Sequence, residues 1–119
     1  MKELRWVASS RDDLLEFPPP VVREVGHALY LAQLGSKHKD AKPLKGFGDA
    51  GVLEVVEDFD GNTFRAVYTV RFAQAIYVLH TFQKKSPRGK ETRQSDVALI
   101  RERLRMAQRN YEERYGERN

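Results

Sequence analysis

Three groups of cations lie where they can act together. Lys42 and Lys45 flank Pro43-Leu44. Arg65 and Arg71 fall at even spacing in the alternating run 64–72, so they share a face if that run is a strand. Lys84 and Lys85 close the apolar run 75–82, with Arg88 just beyond. If these runs form an antiparallel meander, Lys84 and Lys85 return to the end of the sheet at which Arg65 begins its strand. Like charges gathered there cost stability, and they make sense if a phosphate binds between them. The plainer alternative is that strand-end lysines block edge-to-edge aggregation.

Other patterns carry less. Lys and Arg exceed Asp and Glu by 21 to 17, a net charge of +4 that suits a polyanion without requiring one. With no cysteine, disulfides and cysteine-based metal sites or nucleophiles are excluded. Gly46-Phe47-Gly48-Asp49-Ala50-Gly51 matches the dinucleotide-binding glycine pattern. It opens a strand rather than a helix, however, so no helix N-terminus would face a pyrophosphate. His27, His38 and His80 show no ligand-like spacing, and we expect no metal and no cofactor. His80, in an apolar strand beside Phe82, reads either as a structural histidine with one hydrogen bond or as a group titrating at a basic site. Arg101, Arg103, Arg105 and Arg109 read as a solvated helix face balanced by acids.

These residues need a scaffold. Leu4, Trp6 and Ala8 alternate within 3–8, which suits a short edge strand. Ser10-Arg11-Asp12-Asp13 resembles a capping box ahead of a short helix, which Pro18, Pro19 and Pro20 end. Val22, Val25, Leu29 and Ala32 mark an amphipathic helix over 19–34, capped by Gly35. Residues 36–51 read as a polar loop. Three strands follow at 52–59, 64–72 and 75–82, the first two joined by the turn Asp60-Gly61-Asn62 and the last central. Phe64, Ala66, Tyr68, Val70 and Phe72 share one face of the middle strand. Residues 83–94 read as a basic loop. A final helix starting between Thr92 and Ser95 carries the stripe Val97, Ile100, Leu104, Ala107 and Tyr111, and frays from about Glu112. The expectation is one α+β domain over 1–119, a small antiparallel sheet flanked by helices in the order β-α-α-β-β-β-α. The N-terminus lacks the apolar stretch of a signal peptide and no run is long enough to span a bilayer, so we expect a soluble cytoplasmic protein without membrane contact.

The motifs resemble a known group. Phe64-Arg65-Ala66-Val67-Tyr68 is similar to the Y-R-x-x-Y strand of RelE/ParE superfamily toxins. Leu79-His80-Thr81-Phe82-Gln83-Lys84-Lys85-Ser86 resembles the L-H-x-F-x-K-K-[ST] segment of their HigB-like, phage-derived branch, and Lys42-Pro43-Leu44-Lys45-Gly46 resembles the loop before its first hairpin strand. The resemblance implies a RelE-like fold and the toxin of a type II toxin–antitoxin pair. Such a toxin cleaves messenger RNA on the ribosome without a metal and is neutralised by a cognate antitoxin, often a helix-turn-helix protein. It further implies that Arg65 contacts the scissile phosphate and that Lys85 is a second basic catalytic residue with Lys84 beside it; the remaining cations of the converging groups, Lys42, Lys45, Arg71 and Arg88, are then expected to bind RNA. Glu54 and Glu57 stand where RelE has lysines, and no tyrosine follows Lys84-Lys85. The general acid and base are therefore open among His80, Tyr68 and Lys84. The alternatives are a non-enzymatic ParE-like inhibitor of a protein target such as DNA gyrase, and a plain RNA-binding domain.

Overall fold

A computed structural model of the chain describes residues 1–84 and 93–116. Five strands and three helices follow in the order β1 (Glu3–Trp6), α1 (Ser10–Leu14), α2 (Pro19–Gln33), β2 (Ala41–Pro43), β3 (Val52–Phe59), β4 (Asn62–Thr69), β5 (Ala75–Lys84) and α3 (Gln94–Tyr115). The strands form one sheet in the spatial order β1-β5-β4-β3-β2.

The α+β class and the meander agree with the sequence reading, since β3, β4 and β5 pair antiparallel in succession. The sheet as a whole is mixed, which corrects the antiparallel expectation: β1 lies parallel to β5, with Glu3 opposite Ala75 and Trp6 opposite Val78. A strand's own alternation carries no signal for its direction relative to a partner far along the chain. The expected element order gains a strand as well. Residues 41–43, read as loop, pair with β3, Ala41 buried opposite Val55. Pro43 is tolerated because β2 is an edge strand with no further partner for its missing amide.

Helices cover both faces. Leu14, Val21, Val25, Ala28 and Leu29 from α1 and α2 bury one face with Val55, Ala66, Tyr68, Ile76 and Val78. Ile100, Ala107 and Tyr111 of α3 bury the other with Val52, Val67, Tyr77 and Leu79. This double covering explains why β5 is nearly all apolar. Pro19 and Pro20 open α2 where no amide donor is needed, and Gly35 at φ 83° closes it.

Three local readings change. Ser10 does not cap α1; it is buried, donates to Val78 O and accepts from Thr81 Oγ1, riveting the helix to β5. The cap is Ser9, whose hydroxyl donates to Asp13. β4 ends at Thr69, and the turn after it carries Phe72 across to the α3 face, where it stacks on Tyr111 at 4.7 Å. α3 stays helical to Tyr115, whose hydroxyl donates to Glu3, and Gly116 ends it in a left-handed conformation.

Candidate functional site

Residues paired across a ladder share a face, so the register arranges the α3 face of the sheet in rows. One row runs Lys42, Glu54, Val67, His80. The next holds Val56, Arg65 and Phe82, and the last Asp58, Thr63 and Lys84. These rows lie at the end of the sheet where β5 finishes and α3 begins. Arg65 and Lys84 do therefore share an end of the sheet and a face, as the meander argument required.

Arg65 is not presented to solvent. It is 5% exposed, and its Nη1 donates to Glu54 Oε1 at 2.5 Å, with Glu54 equally buried at 5%. Burying either charge alone would be prohibitive, and each makes the other tolerable. Glu54, one of the two positions that depart from the RelE pattern, is thus the counter-ion of Arg65.

His80 owes its position to an irregularity. Val67 pairs with His80 but Tyr68 pairs with Val78, so β5 carries one extra residue at Leu79. The bulge keeps Leu79 in the core under α3 while turning His80 to the same side. His80 stacks on Phe82 at 4.3 Å, and its Nε2 lies 2.9 Å from an Asp96 carboxylate oxygen in the first turn of α3. Its Nδ1 is buried with no hydrogen-bond partner among the described residues. Burial holds the imidazole below its ordinary pKa, against the opposing pull of Asp96. An Nε2–H donating to Asp96 leaves Nδ1 as a basic lone pair, the arrangement by which a carboxylate sets the tautomer of a general base. Arg103 braces the bulge by donating to Leu79 O at 2.9 Å and Ser9 Oγ at 3.3 Å.

The other candidate residues divide. Tyr68 lies on the opposite face, fully buried, and desolvation pushes its hydroxyl up to about 12, so it does not reach the Arg65–His80 rows. Arg71 lies past the end of β4, at the far end of the sheet from Arg65, against Gly51. This corrects the shared-face expectation, which took the strand to continue to Phe72. Lys42 is exposed on β2 in the Glu54–His80 row, and Lys45 is exposed beyond it. Lys85 and Arg88 lie outside the described residues. The solvated-face reading of α3 holds for Arg105, which pairs with Glu102 at 2.8 Å. It fails for Arg103, which is buried; Arg101 stays exposed while donating to Gly46 O and lying 4.4 Å over the Phe47 ring. Sequence reasoning missed Asp96 altogether; its place in the first turn of a helix was the available signal.

A second polar cluster lies on the α2 side. His38, 2% exposed, places Nε2 2.7 Å from Glu24 and accepts the Asp40 amide at Nδ1, 3.0 Å away. His27 and His38, far apart in the spacing argument, have ring centroids 5.4 Å apart. Asp40 is hydrogen-bonded to Glu57, and burial together with that neighbour pushes Glu57 up to about 7. Among the described residues, Glu24, His27 and His38, and likewise His38, Asp40 and Glu57, bring metal-ligating atoms within 4.8 Å of one another. No helix among the described residues is long and apolar enough to cross a membrane.

Residues 12–105 match the family described as Phage derived protein Gp49-like (DUF891). No curated protein matches the chain.

Proposed function

The chain belongs to the Gp49-like family of phage-derived proteins, and on that premise we propose that it is the toxin of a type II toxin–antitoxin pair and cleaves messenger RNA on the ribosome. The observation that carries this reading is His80: a neutral imidazole oriented by Asp96, one row from Arg65 and two rows from Lys84 on the same face. A catalyst of RNA transesterification needs a base, a proton donor and positive charge, and no metal. His80 Nδ1 takes the proton of a ribose 2′-hydroxyl. The 2′-oxygen attacks the adjacent phosphorus and the bond to the 5′-oxygen breaks, leaving a cyclic phosphate. The departing oxygen takes a proton, for which the Lys84 ammonium is the candidate donor. Arg65 holds positive charge under the phosphate, while Lys42 and Lys45, with Lys85 and Arg88, attract the backbone. The partner is a cognate antitoxin of helix-turn-helix type, whose acidic segment would cover these cations.

The buried Arg65–Glu54 pair favours a second reading. An arginine already neutralised offers a phosphate less, which suits a non-enzymatic inhibitor of a protein target such as DNA gyrase. Purified ribosomes programmed with a defined message distinguish the two. The nuclease reading expects new 3′ ends in the A-site codon and, for a folded His80→Ala variant, cleavage slowed by about a hundredfold or more. A protein that arrests growth yet leaves the message intact, while blocking gyrase supercoiling, would establish the inhibitor instead.

A further inference from the structure

The cluster around His38 lies on the α2 face, opposite the Arg65–His80 rows, with Glu57 sharing a face with buried Val55. His38 is almost wholly buried and held at both nitrogens. Its Nε2 lies 2.7 Å from Glu24 and its Nδ1 accepts from the Asp40 amide, so Nε2 carries the proton and Nδ1 the lone pair. On the lone-pair side, the Asp40 Oδ2 lies 3.9 Å from Nδ1, and Asp40 is hydrogen-bonded to Glu57. Glu57 Oε2 is buried with no hydrogen-bond partner among the described residues. Two carboxylates can share a hydrogen bond only around a proton, and a divalent cation can take that place.

We propose that His38 Nδ1, Asp40 and Glu57 form a binding site for a divalent transition metal of the zinc class, with Glu24 as the carboxylate that orients His38. One imidazole and two carboxylates from α2–β2 connector and β3 are a donor set that zinc accepts, with water completing the shell. The Glu24–His38 hydrogen bond is the carboxylate–histidine–metal relay that fixes the tautomer and raises the basicity of the ligating nitrogen. Metal at Nδ1 replaces the single Asp40 amide bond. Lys39, 3.5 Å from Asp40 Oδ2 and 83% exposed, swings into water. The donors tie β2 to β3 and, through Glu24, to α2, so the ion would staple the edge strand that carries Lys42.

The test uses the full chain, freed of metal with a chelator, and zinc chloride alone as the probe. Calorimetry should read one zinc per chain, and the melting temperature should rise with zinc. Cobalt should give the visible absorption of a nitrogen–oxygen site. Glu57→Gln keeps a hydrogen bond to Asp40 and so should fold, but it should weaken zinc binding by on the order of tenfold or more, as should Glu24→Gln. His38→Gln should abolish it, while His27→Ala and His80→Ala should leave it unchanged. No zinc-dependent rise in melting temperature, or binding undiminished in folded Glu57→Gln, overturns the site. Loss of binding in His27→Ala overturns this ligand set in favour of the Glu24–His27–His38 side.

Discussion

Removing one partner of the Arg65–Glu54 pair separates its structural weight from its chemical one. Both side chains are 6% exposed and the contact is 2.5 Å, so Glu54→Gln strands a guanidinium in the interior. Breaking a buried pair in this way costs about 3–5 kcal/mol, a large share of the ~5–15 kcal/mol that holds such a domain together. At roughly 2.1 cal/mol/K per residue over 119 residues, that is a melting temperature lower by about 12–20 °C. Replacing both partners by apolar residues of similar volume, Glu54→Leu with Arg65→Met, should restore stability to within about 1 kcal/mol of the parent or better, because both desolvation costs vanish together. Differential scanning calorimetry reads the stability and ribosome-dependent cleavage the activity. The nuclease reading expects a stable double variant that cleaves at least a hundredfold more slowly, since one charge-stabilising contact is worth that much. A drop of less than about 2 °C for Glu54→Gln would show that the pair is not the buried interaction described. A double variant that cleaves as fast as the parent would remove Arg65 from the mechanism.

Three further outcomes follow from the geometry. His80, held below its ordinary pKa by burial, is neutral in the fold and takes up a proton more readily when unfolded. Its contribution is present above about pH 6.5 and lost as pH falls through the lower folded value, so the fall in melting temperature between pH 7.5 and 5.5 should shrink in His80→Asn; an unchanged fall refutes this. Gly51 has φ +70° and an added Cβ would meet Arg71 Cβ at 2.6 Å, whereas Gly35 at φ +83° faces open space. Gly51→Ala should therefore destabilise by roughly 1–3 kcal/mol in denaturant titration and Gly35→Ala by less, and equal costs would contradict the close approach. Arg103→Met should cost about 1–3 kcal/mol by stranding the Leu79 carbonyl at the bulge, while Arg105→Met on the same helix should stay within about 0.5 kcal/mol; similar losses would mean that the brace is not as described.

Local rules were enough for much of this protein. The prolines that open α2, the Gly35 cap, the Asp60-Gly61 turn and the apolar run of β5 each act within a few residues, and each was legible in the chain. So was the return of Lys84 to the Arg65 end, because a meander fixes which strand ends meet. Tertiary structure alone decided the rest. β1 runs parallel to β5 because that edge takes its partner from a distant segment, and Ala41–Pro43 becomes a strand because the loop after it folds back in register with β3. Arg65 became a buried half of an ion pair because the register with β3 brings Glu54 to it. One bulged residue turned His80 toward Asp96, and a loop returning past α2 carried His38 to Glu24 and Asp40 beside Glu57. A charge is read from sequence as a single residue, but whether it meets water, a phosphate or a counter-ion is a property of pairs, and pairs are made by the fold.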